Sequence, residues 1–136
     1  MVKSSASYKY FSAFTALFLW GGWAYYINAK ASIATGVVSG VTQGTASFFT
    51  TLLAVYVVTK LYNLIQNKVG KVVLPAIAII SGLAMGLTAV HTIAGTPHIV
   101  VTIAPSLSAG FVFCLLTAYK LRQKEVAIKQ NNQLHG

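Results

Sequence analysis

The sequence predicts an all-α integral membrane protein with four transmembrane helices and both termini cytoplasmic. Three observations predict it. The chain is 56% hydrophobic and only 8% charged, whereas soluble domains carry about 25% charged residues. Long apolar runs alternate with short polar stretches, and each run is close to the ~20 residues that cross a bilayer. Lysine and arginine are divided very unevenly between the two sets of connecting segments. Spans at about 10–27, 36–59, 72–92 and 99–121 make one transmembrane domain of residues 1–121, and 122–136 form a basic cytoplasmic tail.

Residues 1–9 are a short polar start. Val2 follows the initiator Met, and N-myristoylation requires glycine there, so that anchor is excluded. The first span, YFSAFTALFLWGGWAYYI, crowds Trp20, Trp23, Tyr25 and Tyr26 at its C-terminal end, as an interfacial aromatic belt should. Ala29-Lys30-Ala31 loosely resembles a signal-peptidase site. The apolar run before it is longer than the usual ~7–15 residues and ends in bulky aromatics, so a retained span is expected.

The second span carries the most informative pattern. At the helical period, Gly36, Ser39, Gly40, Gln43, Gly44, Ser47, Thr50 and Thr51 share one face, continued by Ala54. Val37, Val38, Val41, Phe48, Phe49, Leu52, Leu53 and Tyr56 share the other. In lipid, large residues face the tails and small ones face another helix. Gly36, Gly40 and Gly44 are spaced by four, which lets two backbones approach closely. Two readings of this face stay open: a packing seam, or a polar face lining a path. Gln43 keeps the second alive, because its amide needs partners at membrane depth.

The connection Asn28–Thr35 holds only Lys30, and Lys60–Lys71 is a polar loop with three lysines. In the third span Pro75 is expected in the first turn, where a missing N–H matters little. Ala78, Gly82, Gly86 and Ala89 form a second small-residue stripe, expected to mate with the stripe on the second span. The last apolar run, Ile99–Leu121, contains Pro105. Either one helix is kinked near Pro105, or a helix starts at Ala104 and the residues before it are extended or re-entrant. The kinked helix is slightly preferred. The tail is expected to be mobile.

Formal net charge is +9, with Glu125 the only acidic residue. With the N-terminus cytoplasmic, the inner side holds Lys3, Lys9, Lys60, Lys68, Lys71, Lys120, Arg122, Lys124 and Lys129, and the outer side holds Lys30 alone. Charges placed at segment ends point to orientation and to anionic lipid headgroups on the cytoplasmic side, not to nucleic acid. The expected address is a bacterial inner membrane. The single cysteine, Cys114, lies in an apolar run and is expected to pack as a small hydrophobe.

Candidate chemistry is sparse. His91 and His98 flank the outer turn with Thr96 and Thr102, a candidate outer mouth for a path. A metal site would need three or four ligands, and no carboxylate or cysteine accompanies them on that side. No cofactor is expected. His135 carries no signal. No Asp, Glu, Lys or Arg lies deep in any span, which argues against a carboxylate-coupled carrier. No phosphate-binding glycine loop and no nucleophile–base pair is visible. The sequence therefore favours, narrowly, transport or permeation of a neutral, anionic or lipid-linked solute by a homo-oligomer or larger complex. The alternative is a non-catalytic scaffold or accessory subunit packing through small-residue seams. A lipid-modifying enzyme is the least favoured reading.

Overall fold

In the computed structural model, which describes residues 1–134, the chain is all-helical, with no strand among the described residues. The helices are α1 (Ala6–Asn28), α2 (Ile33–Leu64), α3 (Gly70–Ile93) and α4 (Ile99–Leu134). α2, α3 and α4 are each long and apolar enough to cross a membrane. His135 and Gly136 lie outside the described residues.

Local chemistry sets the helix ends. Ser5 caps α1 by accepting the Tyr8 N–H, and Ser32 caps α2 by accepting the Thr35 N–H at 3.0 Å. Asn67 Oδ1 accepts the N–H groups of Val69 and Gly70 at 3.0 and 2.9 Å, an Asx turn that launches α3. The α3 end is a Schellman motif. Gly95 takes φ +66°, the Thr96 N–H returns to the His91 carbonyl at 3.0 Å, and the Gly95 N–H to Thr92 at 3.2 Å. That turn folds Thr96 back onto the last turn of α3, within reach of the His91 side chain.

Several boundaries differ from expectation. α3 begins at Gly70, so Pro75 sits in its second turn rather than its first, and removes the N–H that would pair with the Lys71 carbonyl. α4 runs unbroken through Pro105, so residues 99–104 are helical and not re-entrant. The tail is helical too, as far as Leu134. Its Gln, Lys, Glu and Ala residues are good helix formers. Glu125 pins it to the bundle through Lys71 at 2.8 Å and adds an i,i+4 pair with Lys129 at 3.0 Å. At about 1.5 Å per residue α4 is far longer than a hydrocarbon core of ~30 Å, so its last turns project beyond any bilayer it crosses.

The packing is inverted relative to a soluble bundle. Ala13, Ala24, Ser39, Gln43, Ser47 and Ala54 are buried, while Phe11, Phe18, Val41, Phe49, Leu53 and Met85 are exposed. α2 is the central helix: it touches all three others, and α1 packs along it most extensively. α4 also meets α3, and touches α1 only lightly. The N-terminal residues strap one end. Both backbone groups of Val2 pair with the Asn63 amide, at 3.0 and 3.1 Å.

Candidate functional site

The glycine face of α2 mates with α1, not with α3. A Cβ at Gly44 would lie 2.9 Å from the Leu17 carbonyl oxygen, and one at Gly40 would lie 3.0 Å from that of Gly21. A Cβ at Gly36 would fall against the backbone and side chain of Ala29. These are backbone contacts that only glycine allows at this spacing. Among the described residues the α3 stripe has no such mate. Ala78, Gly82, Gly86 and Ala89 are all exposed, and a Cβ at Gly82 or Gly86 would meet nothing within 4 Å. The expected α2–α3 pairing of stripes is thus corrected: glycine–glycine proximity is used between α1 and α2.

Beside the glycines, the polar residues of α2 build a closed network with the turn between α3 and α4. His91 Nε2 lies 2.6 Å from Gln43 Oε1, and His91 Nδ1 lies 2.8 Å from Thr96 Oγ1. Gln43 Nε2 donates to Ser106 Oγ at 2.9 Å and, more weakly, to Ser47 Oγ at 3.4 Å. Ser106 donates in turn to the Ile103 carbonyl. Ser39 donates to Thr96 Oγ1 at 3.4 Å. Since an amide oxygen only accepts, the imidazole proton facing Gln43 is on Nε2, and Nδ1 accepts from the Thr96 hydroxyl. Gln43 and His91 are fully buried. The network ties α2 to α3, α4 and the turn between them, and no buried polar side-chain atom among the described residues lacks a partner.

The four residues of the candidate outer mouth are therefore split. His91 and Thr96 belong to the Gln43 network. Thr102 is buried in a second cluster, where it accepts from Asn28 Nδ2 at 2.9 Å and donates to the His98 carbonyl. His98 contributes its backbone N–H to Asn28 Oδ1 at 3.3 Å, and the residue itself is exposed. The two histidines do not share a partner. Asn28, expected in a loop, instead ends α1 and joins it to the start of α4. A polar residue just after an aromatic belt is the signal that marks it in the sequence. No group of three His, Cys, Asp or Glu assembles among the described residues.

Thr50 and Thr51 point elsewhere. With Ser47 and Ser106 they border a cavity of about 270 Å³ between α1 and α4, floored by α2 and α3. Its α1 wall runs from Phe11 to Trp20, and its α4 wall from Ser106 to Cys114. Hydrogen bonds join α1 to α4 at the two ends of the cavity. At one end Asn28 bonds Thr102 and the Trp23 indole N–H donates to the Val101 carbonyl at 3.1 Å. At the other, the Tyr8 hydroxyl bonds Thr117 Oγ1 at 2.9 Å, and its ring stacks on Phe113 with centroids 5.8 Å apart. Between these ends the cavity is flanked by α1 and α4 and is partly open. Thr15, Thr50 and Ser106 each donate to a carbonyl of their own helix, so their protons are not available to a guest.

At the Tyr8 end of the bundle, Glu125 Oε2 accepts from Tyr62 at 2.7 Å and from Lys71 at 2.8 Å. These hydrogen bonds, Lys71 first and then Tyr62 and Lys129, hold its carboxyl down at about 2. Lys71 also lies 4.3 Å from the centroid of the Tyr62 ring.

Comparison with protein-family models, with curated proteins and with solved structures gives no match to this chain.

Proposed function

We propose that this is a four-span membrane protein that moves or presents a lipid-linked solute, with the α1/α4 groove as its seat in the bilayer. In this reading α1 is the fourth span. The chain forms one transmembrane domain of residues 1–121 with a helical, basic cytoplasmic extension, and both termini are cytoplasmic in a bacterial inner membrane. The single observation that carries it is the groove, which is partly open, is lined mainly by apolar side chains, and has three of its lining hydroxyls, those of Thr15, Thr50 and Ser106, bonded to their own helices. A guest of that site is a hydrocarbon chain, not a hydrated ion. The neutral or anionic aqueous solutes lose support for the complementary reason. Ser39, Gln43 and Ser47, which would have lined a water path, are at most 5% exposed and engaged with one another or with the outer turn. No catalytic role is assigned to any residue.

The test is a vesicle assay. The purified protein is reconstituted into liposomes containing a trace of headgroup-labelled fluorescent phosphatidylglycerol, and dithionite is added outside. Movement between leaflets exposes label that protein-free vesicles protect. Protection equal to that of protein-free vesicles removes the transport reading.

A second reading, an accessory subunit in a homo-oligomer or larger complex, is favoured by the exposed α3 stripe. Ala78, Gly82, Gly86 and Ala89 present a small-residue face of the kind that close helix contacts use. Copurification in mild detergent of a stoichiometric second chain, or of a second copy, would favour it.

A further inference from the structure

Resting on the lipid-linked reading, we propose that the groove takes one chain of an anionic lipid of the cytoplasmic leaflet, with the phosphate held at Lys120 beside Tyr8. The depth of the groove fits this guest. Its α1 wall, Phe11 to Trp20, covers about 14 Å at 1.5 Å per residue, close to half of a hydrocarbon core of ~30 Å. The groove is thus about one leaflet deep, and its α1 wall begins three residues beyond Tyr8. Its wall residue Phe113 stacks on Tyr8. The Lys120 ammonium lies 4.4 Å from the centroid of that Tyr8 ring, and Lys9 is the next residue along α1. A cationic rim therefore stands where the headgroup of a lipid seated in the groove must sit.

The chain supplies this rim with no carboxylate side chain. Glu125 is the only acidic residue, and it is engaged by Lys71 and Lys129. Lys120 can find a counter-ion in a lipid phosphate, whose attraction for lysine near the membrane surface is the usual one. A zwitterionic lipid matches the groove equally well but not the rim, so charge, not chain, gives the selectivity.

The test uses two photoreactive lipids with the same diazirine acyl chain, one a phosphatidylglycerol and one a phosphatidylcholine. Each is present at trace level in phosphatidylcholine vesicles holding the full-length protein. Adducts are mapped by mass spectrometry. The expected result is several-fold more phosphatidylglycerol than phosphatidylcholine label on peptides containing Thr15 and Ala109. Lys120→Gln should bring the two towards equality without changing the phosphatidylcholine label. Ala109→Phe, which fills the groove from its wall, should remove both labels there and leave those at Val41 and Phe49 unchanged. The unchanged labels also report that the variant is folded; if they change, Ala16→Leu is used instead. Equal labelling by the two lipids at the groove overturns this proposal and leaves the lipid-linked reading standing. Labelling no greater at the groove than at Val41 and Phe49 overturns both.

Discussion

The indole N–H of Trp23 donates to the carbonyl of Val101 at 3.1 Å, and Val101 is the residue whose helical partner would have been the N–H of residue 105. Residue 105 is proline. The ring removes one rung of the α4 ladder, and α1 supplies the missing donor from outside. The proline that makes the last span ambiguous in the sequence thus creates an attachment point for the first helix, at one end of the α1/α4 groove.

This relationship predicts a coupling. Trp23→Phe deletes the donor and should cost about 1 kcal/mol in stability, as a typical hydrogen bond does. Pro105→Ala gives Val101 a donor within α4, so Trp23→Phe should then cost clearly less. A double-mutant cycle by thermal unfolding in detergent measures the difference. Equal costs in both backgrounds would mean the indole bond contributes nothing.

Gln43 is predicted to be the most sensitive polar residue within the spans. Gln43→Leu leaves His91 and Ser106 without their partner in a buried place, at a cost of about 1–3 kcal/mol. Replacing His91 by Leu as well should recover part of that loss, because a vacated pair costs less than a half-satisfied one. The same closure predicts that single cysteines at Ser39 and Ser47, in a Cys114→Ala background, resist a membrane-impermeant thiol reagent. Rapid labelling at both would show that water reaches this face.

The helical class and the inverted burial are legible in the composition and in the α2 pattern, because lipid reverses which side of a helix is large. The identity of the glycine partner is not. Gly21 belongs to a single Gly-Gly pair in an aromatic segment, whereas Ala78, Gly82, Gly86 and Ala89 show the regular period, and only the depth of contact distinguishes the two. The His91–Gln43 bond spans 48 positions and depends on a Schellman turn at Gly95 that brings Thr96 back. The α1/α4 groove leaves no trace in the sequence, since it is a gap between two helices joined near their ends. The tail hides its helix behind polarity, because a charged segment without an apolar face resembles solvated chain. Its helix-forming residues and the Glu125–Lys129 spacing are the signal that it is not.

The Glu125 cluster predicts an acid transition confined to the Tyr8 end of the bundle. Its carboxyl is held at about 2, against an ordinary value of 4.5, first by Lys71 and then by Tyr62 and Lys129. A depressed folded-state pKa means the stabilisation is fully present above the unfolded value. It is lost as pH falls from about 4.5 towards 2. The protection of the amides in residues 122–134, taken relative to their intrinsic exchange rates at each pH, should therefore fall over that window. Glu125→Gln should show weaker protection at neutral pH and no change across the window. A wild-type tail whose protection is flat from pH 5 to about 2 would contradict the assignment.

The two glycine stripes give the sharpest contrast. Gly44→Ala puts a methyl 2.9 Å from the Leu17 carbonyl oxygen and 3.4 Å from the Gly21 Cα. Both are backbone, so the hairpin of α1 and α2 must open, at about 1–3 kcal/mol. Gly82→Ala meets nothing within 4 Å, and should be neutral or stabilising by up to ~1 kcal/mol through helix propensity. Thermal unfolding in detergent separates them, provided the protein is monomeric there. In bilayers the α3 stripe has a second outcome. If a copy of this chain or another helix rests on Gly82 and Gly86, changing both to leucine weakens association while leaving the monomer's stability intact. Crosslinking yield in vesicles, measured beside monomer stability in detergent, reads the two effects apart. An unchanged yield would leave the stripe facing lipid and count against the accessory-subunit reading.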